Sequence, residues 1–190
     1  MTVAVRPDLM TTEQLLALPD EGKERWLICG ELREREMTRR NRGHSRVEGK
    51  IAHLLHKWME GRPQPRGEVL VGEAGVRLRR NPDTTVGVDV AYVSPQVADA
   101  DPRDERFLDG VPVLAVEILS PSDKEDEINE KVKSYIEAGV KLVWIVDPTF
   151  RTITVYRGDA EPELFNATQT IGGEPHLPGF NVAVKDVFSR

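Results

Sequence analysis

The stretch Pro112-Val113-Leu114-Ala115-Val116-Glu117-Ile118-Leu119-Ser120-Pro121-Ser122 decides the fold. Seven of its first eight residues are apolar or proline. That is the pattern of a strand covered on both faces, in the middle of a sheet. Glu117 interrupts it. A carboxylate in a buried strand costs on the order of several kcal/mol unless a cation or donor meets it. The sequence therefore requires something positive beside Glu117. The next residues, Ser122-Asp123-Lys124-Glu125-Asp126-Glu127, read as an N-cap and the acidic first turn of a helix. This helix is expected to run to about Ala138 and to end at Gly139. Its core stripe is Ile128, Val132, Tyr135 and Ile136, with Lys131 at the border and Lys133 further out.

Two more apolar runs flank this unit. Residues 86–93 form a strand with one embedded carboxylate, Asp89. Residues 141–147 form another, turned by Pro148-Thr149-Phe150 and returning as a hairpin partner at 152–156. Between the first strand and the central one, residues 94–110 read as an acidic, solvent-facing loop.

Nearer the N-terminus, Met1 to Met10 reads as a flexible leader, and residues 11–190 as a single domain. Thr11-Thr12-Glu13-Gln14 opens a short helix with a Thr-x-x-Gln cap. Residues 25–37 read as a hairpin about Gly30, with Glu34 and Glu36 on one face and Arg33 and Arg35 on the other. A polar, basic segment over residues 38–43 is expected to lead into a helix that runs to about Glu60, with Val47, Ile51, Leu54, Leu55 and Trp58 on its apolar stripe. His44 and Glu48 fall on or beside that stripe. They are either part of a site or a local device, since Ser45-x-x-Glu48 has the form of a capping box. His53 and His56 lie on the opposite face. Residues 68–79 are extended, interrupted at Gly72 and Gly75, and Arg77 and Arg79 are expected on a wet face. Asn81-Pro82-Asp83 is a turn. The tail from Glu161 carries short extended pieces, with residues 177–180 packing as an edge.

Composition bounds the function. Of 190 residues, 39% are apolar and 31% charged, as in an ordinary globular protein. No apolar run is long enough for a membrane span, and Met1 to Met10 lacks the apolar core of a signal peptide. The single cysteine, Cys29, excludes an intramolecular disulfide and any Cys-cluster zinc site. These features lead to a cytoplasmic assignment. A net charge of −6 argues against bulk nonspecific nucleic-acid binding but leaves room for a local basic groove.

Asp89, Glu117 and Lys131 are the residues that carry chemistry. If the two strands are neighbours, both carboxylates can converge on one hard cation, and oxygen ligands favour Mg2+ or Mn2+ over zinc. Such an ion polarises a phosphoryl oxygen and lowers the pKa of a bound water. Lys131 can orient or deprotonate that water, or stabilise charge building on phosphate. The competing reading is structural, an ion pair between a carboxylate and Lys131 itself. Composition and spacing alone stop at a metal-dependent site of unspecified substrate.

Several segments resemble one bacterial family. They are Gly30-Glu31-Leu32 to Met37, His44, and Val88-Asp89-Val90-Ala91-Tyr92-Val93. Further along are Val116-Glu117-Ile118-Leu119-Ser120-Pro121-Ser122, Lys131-x-x-x-Tyr135, and Ala138-Gly139-Val140-x-x-Val143-Trp144-Ile145-Val146-Asp147-Pro148. Together they resemble the Uma-two family, a group assigned to the restriction endonucleases, over about Thr11 to Phe188. The resemblance implies the PD-(D/E)XK nuclease superfamily. Its fold is α/β (α+β), a restriction-endonuclease-like core with a mixed central sheet flanked by helices. It also implies a magnesium-dependent endonuclease site, DNA as partner, and a homodimer.

Asp89 then matches the motif Asp and Glu117 the motif Glu. Two positions depart from the pattern: Val88 stands where the motif has Pro, and Leu119 where it has Lys. Lys131, on the following helix, matches a relocated lysine. Glu34, Glu36 and Glu48 are candidates to complete the site, and His44 matches a position that the family often fills with His.

The basic run Arg33, Arg35, Arg39, Arg40, Arg42, Arg46 and Lys50 lies next to that region. It reads equally as phosphate contacts or as charges offsetting nearby glutamates. No helix-turn-helix accompanies it. Three functions follow: a metal-dependent endonuclease, a catalytically silent binding or regulatory protein of the same fold, or a hydrolase of small phosphorylated substrates. The absence of a Gly-rich phosphate loop argues against nucleoside triphosphates.

Overall fold

In the computed structural model the stretch around Glu117 is the middle of the sheet. The elements are α1 (Thr12–Leu16), β1 (Lys23–Ile28), β2 (Glu31–Glu36), α2 (Arg42–Glu60), β3 (Glu68–Arg79), β4 (Thr84–Val93), α3 (Pro95–Ala100) and β5 (Leu108–Asp109). They continue with β6 (Leu114–Ile118), α4 (Glu125–Ala138), β7 (Leu142–Asp147), β8 (Thr152–Tyr156), β9 (Glu163–Phe165), β10 (Thr170–Gly172), β11 (Asn181–Ala183) and α5 (Val184–Val187). The structure describes residues 9–37, 41–100, 106–158 and 160–189.

The main sheet runs β2-β1-β4-β6-β7-β8-β9, with β3 also paired to β4 and β5 to β3. All five residues of β6 are buried. Strands β6 and β7 are parallel, and β4 joins β6 antiparallel, so the sheet is mixed as expected. A parallel pair needs a crossover, and α4 supplies it. On one face, α2, α5 and the β10–β11 hairpin bury Val47, Ile51, Leu55 and Val187 against Trp144. On the other, α4, α3 and β1 bury Val132, Tyr135, Ala98 and Trp26.

Local chemistry explains the boundaries. Thr11 and Gln14 form the expected capping box at α1. Cys29 (φ 52°) and Gly30 (φ 80°) make the tight turn from β1 to β2, where both central residues need positive φ. Gly139 closes α4 in the left-handed conformation, φ 92°. A β-carbon there would meet no atom within 4 Å, so the whole penalty of Gly139→Ala is backbone strain. That variant is expected to lose about 1–2 kcal/mol, read as a lower urea midpoint at unchanged slope.

Several expectations are corrected. Helix α2 is capped by Asn41, whose side chain accepts the His44 N–H at 2.9 Å, so Ser45 and Glu48 do not form the cap. Helix α4 starts at Glu125 behind Lys124, with no side-chain cap at that end. The residues before it form a turn in which Asp123 accepts the Ser120 N–H at 2.7 Å. The segment 94–110 is not simply a loop, because it contains α3 and β5, and β5 pairs parallel with β3. Arg77 is buried, not on a wet face, because α1 and β5 close over it. It donates to Glu13 at 2.6 Å and to Asp109 at 2.7 and 3.0 Å. Residues 177–180 are not an edge strand: Leu177 and Phe180 are core residues, and Phe180 stacks on Trp144 at 6.0 Å. The expected basic residues Arg39 and Arg40, and most of the leader, lie outside the described residues. Its last part does not hang free, since the Met10 N–H donates to Gly30 O at 2.7 Å.

Candidate active site

The site forms where β4 and β6 run side by side. Val90 is opposite Val116 in the antiparallel ladder. One step further along, Asp89 comes beside Glu117. Asp89 Oδ2 accepts the Ile118 N–H at 2.7 Å, which locks the carboxylate to the neighbouring strand. Both acids are buried, Asp89 at 3% and Glu117 at 4% exposure.

Helix α4 packs over this point and delivers the partner that Glu117 requires. Lys131 Nζ lies 3.0 Å from Glu117 Oε2 and 3.2 Å from Oε1, and 2.9 Å from the Gly87 carbonyl on β4. Tyr135, one helical turn on, donates its hydroxyl to Glu117 Oε1 at 2.5 Å. Burial pushes the Glu117 carboxyl above its ordinary value and the charge of Asp89 adds to this, while Lys131 and the Tyr135 hydrogen bond pull the other way. Burial, and then the charge of Glu117, push the Tyr135 phenol well up.

The raised carboxyl has a measurable sign. A carboxyl with a higher pKa in the folded than in the unfolded chain binds its proton more tightly when folded. Its stabilising contribution is full below the unfolded value near 4.5 and is lost as pH rises through the folded value. The unfolding free energy of the native chain, minus that of Glu117→Gln, is therefore expected to fall as pH rises above about 4.5. Chemical denaturation of both proteins from acidic to neutral pH reads this directly. A flat difference would show that Glu117 does not titrate abnormally.

His44 joins the group. It sits in the first turn of α2, 1% exposed, with Nε2 3.2 Å from Asp89 Oδ1 and Nδ1 3.8 Å from Glu48 Oε2. Glu48 is held in turn by the Gly72 N–H at 2.7 Å, where the pairing of β3 with β4 shifts register. Thus Asp89, Glu117, Lys131 and His44 come together, with Glu48 behind His44.

Glu34 and Glu36 do not join them. They lie on the other face of the hairpin, where Glu34 binds Lys23 at 2.6 Å and Arg25 at 3.3 Å, and Glu36 is exposed. Strand alternation turns Arg33 and Arg35 inward instead. Arg33 grips Glu130 with two bonds, 2.8 and 3.1 Å. Arg35 bridges Glu24 at 2.6 Å and Asp123 at 2.9 Å. These pairs tie the hairpin to α4 and make one wall of the site. Arg42 and Arg46 are exposed on the early turns of α2, near His44.

Sequence reasoning missed the acids at the mouth: Glu24, Glu73, Asp123 and Glu127 line the same pocket as Asp89 and Glu117. Glu24 had a signal, because it is opposite Arg35 across the hairpin. Glu73 had none, since its place depends on the irregular pairing of β3.

The donor set is compatible with a hard cation. Among the described residues, no three His, Cys, Asp or Glu form a ready-made cage. Mg2+, however, keeps several waters and commonly takes one or two carboxylates. The adjoining oxygens of Asp89 and Glu117 suit a hydrated Mg2+ or Mn2+, which would share Glu117 with Lys131.

The structure is thus a mixed α/β fold with an acid pair on adjacent strands and a lysine brought to it by the crossover helix. The family model Uma2, described as "putative restriction endonuclease", matches residues 12–185, and the chain belongs to that family. A crystal structure described as a "putative nuclease belonging to DUF820", from Anabaena variabilis ATCC 29413, is similar at a TM-score of 0.77. It shares 20% identity, covering 94% of this chain and 97% of that one, a likeness that shows the fold. Among curated proteins none matches. No helix of the described residues is long and apolar enough to cross a membrane.

Proposed function

We propose that the chain is a divalent-metal-dependent endonuclease that hydrolyses DNA phosphodiester bonds at Asp89, Glu117 and Lys131. The observation that carries this reading is the buried Asp89–Glu117 pair on adjacent strands, with Lys131 3.0 Å from Glu117. Asp89 and Glu117 are the residues that would hold Mg2+ or Mn2+. When bound, that ion would supply Lewis acidity towards a phosphoryl oxygen and a water of lowered pKa. Lys131 carries an ammonium to the same spot, where it can offset charge building on the phosphate. Tyr135 holds one oxygen of Glu117 in place, and His44 brings Nε2 to 3.2 Å from Asp89 Oδ1. Arg42 and Arg46, with Arg39 and Arg40 preceding them in the chain, are the proposed phosphate contacts along the DNA.

The test is cleavage of plasmid and single-stranded DNA with Mg2+, with Mn2+, and with neither. Metal-dependent nicking or linearisation is expected. Cutting both strands of a duplex with one site per chain is simplest in a homodimer. Gel filtration at micromolar concentration is expected to give twice the chain mass, and a clean monomer would remove this part of the reading.

One observation favours a second reading. Lys131 and Tyr135 already satisfy Glu117, as they would in a catalytically silent binding protein that keeps the fold. A silent protein would show no metal-dependent cleavage and no shift in melting temperature with Mn2+.

A further inference from the structure

Helix α2 has two unlike sides. Val47, Ile51 and Leu55 are buried in the core, and His44 on that side reaches Asp89. The other side carries Arg42, Arg46, Lys50, His53 and Lys57, all exposed except the half-buried Lys50. At about 100° per residue these five fall within an arc of about 80°. From Arg42 to Lys57, at about 1.5 Å per residue, they make a stripe about 22 Å long. Among the described residues, the side chains of Arg42, Arg46, Lys50 and Lys57 meet no acidic partner. Cations elsewhere are held: Arg33 by Glu130, Arg35 by Glu24, Arg77 by Asp109 and Lys131 by Glu117. The glutamates of α2 do not offset the stripe. Glu48 lies off the arc and accepts the Gly72 N–H at 2.7 Å, and Glu60 stands at the last position of the helix. In a chain of net charge −6, a row of unpaired positive charge is a local field that attracts a polyanion.

The chemistry of the stripe selects among polyanions. A helix that lies on a membrane must bury an apolar face in lipid. The exposed large hydrophobic residues are Leu9, Met37, Val71, Phe150 and Leu164, none of them on α2. Single strands are held by stacking their bases on aromatic side chains. The stripe offers none, because Trp58 of α2 packs edge-on against Tyr92 and Phe180. A DNA duplex is stiff over this length. It also carries one charge per about 1.7 Å of axis, against about 3.4 Å along one of its strands. It can therefore meet the whole stripe through its backbone, with no base exposed.

We infer that the outward side of α2 is a second contact surface for the backbone of double-stranded DNA, apart from the acid pair. The inference rests on DNA being the partner, as in the nuclease reading, and carries the contacts of Arg42 and Arg46 along the helix to Lys50 and Lys57. The stripe and His44 lie on opposite sides of α2, so the DNA held here is a flank and not the phosphate that is cut. Phosphate contacts position a duplex without reading its sequence. Binding through them is salt-dependent, and four such cations give log K against log[salt] a slope of about −3.6.

The experiment measures binding of the full chain to a fluorescein-labelled duplex by anisotropy across a range of NaCl, with EDTA present so that nothing is cut. A single strand of the same length and vesicles of phosphatidylserine and phosphatidylcholine are the comparison probes. Lys50→Ala/Lys57→Ala is expected to bind the duplex about tenfold or more weakly at low salt, with a slope less steep by about two. Alanine is the best helix former, so α2 itself is kept. Lys133→Ala/Lys141→Ala removes the same charge from exposed positions elsewhere and is expected to bind as the native chain does. Circular dichroism establishes that each variant is folded. If the Lys50/Lys57 variant does not fold, Lys57→Ala decides alone, with a slope change of about one. Unaltered duplex binding in the folded variant, or an equal loss in Lys133→Ala/Lys141→Ala, overturns the inference. So does tighter binding to the single strand, or binding to vesicles without binding to duplex. Metal-dependent cleavage together with unaltered duplex binding in the variant overturns the stripe and leaves the nuclease reading standing. Stripe-dependent duplex binding without cleavage under any metal supports the stripe and counts against the nuclease.

Discussion

Lys131→Ala is expected to lower metal-dependent cleavage by about 10²–10⁴-fold, the usual range for removing a group that handles protons or charge at the reacting centre. It is also expected to destabilise the chain. Lys131 is the cation that faces both oxygens of Glu117. Without it Glu117 stays buried with the Tyr135 hydroxyl as its remaining side-chain donor. Breaking a buried pair by removing one partner costs about 3–5 kcal/mol. The loss should shrink as pH falls, because Glu117, already pushed up by burial, can take a proton instead. The double variant Glu117→Gln/Lys131→Met separates the two roles. Neither charge remains, so most of the stability should return, while cleavage stays lost. Urea unfolding and plasmid cleavage on the two proteins measure both quantities. Recovery of cleavage in the double variant would show that the pair is structural only.

Asp89→Asn is expected to abolish cleavage by a similar factor, about 10²-fold at least, and for a different reason. The side-chain oxygen of asparagine can still accept the Ile118 N–H that Asp89 Oδ2 accepts at 2.7 Å, so the link between β4 and β6 survives. What disappears is the second negative charge. That charge faces His44 at 3.2 Å and is half of the proposed metal pair. A ligand that binds only the folded chain raises its stability by RT ln(1 + [L]/Kd), about 2.7 kcal/mol at a hundredfold excess over Kd. The native chain should therefore melt several degrees higher with saturating Mn2+, and Asp89→Asn should not. An equal rise in both proteins would place the metal away from Asp89.

Much of the architecture was legible because it is encoded locally. The apolar runs at β4, β6 and β7, the Thr11–Gln14 cap and the Gly139 stop each depend on residues within one or two turns of one another. The misreadings share one cause. Arg77 looked wet because its strand alternates, but α1 and β5, distant in sequence, close over it. Ser45-x-x-Glu48 had the form of a cap, yet the chain entered the helix earlier, at Asn41, and left Glu48 for the β3 bulge. In the sequence Glu34 and Glu36 are equivalent to any other glutamate, and only the packing of the hairpin against α4 makes the arginine face the inner one.

The sequence by itself determined that two carboxylates, Asp89 and Glu117, sit inside apolar strands, and that Glu117 must have a positive partner. Periodicity and the cost of a bare buried charge suffice for that. Only the tertiary structure decided which cation answers it, because strand register and the phase of α4 over the sheet set Lys131 and Tyr135 against Glu117. It alone brought His44 to Asp89 from a helix more than forty residues away, and placed Glu24 and Glu73 at the mouth. Such meetings depend on how distant elements cross, and no local pattern in the chain records them.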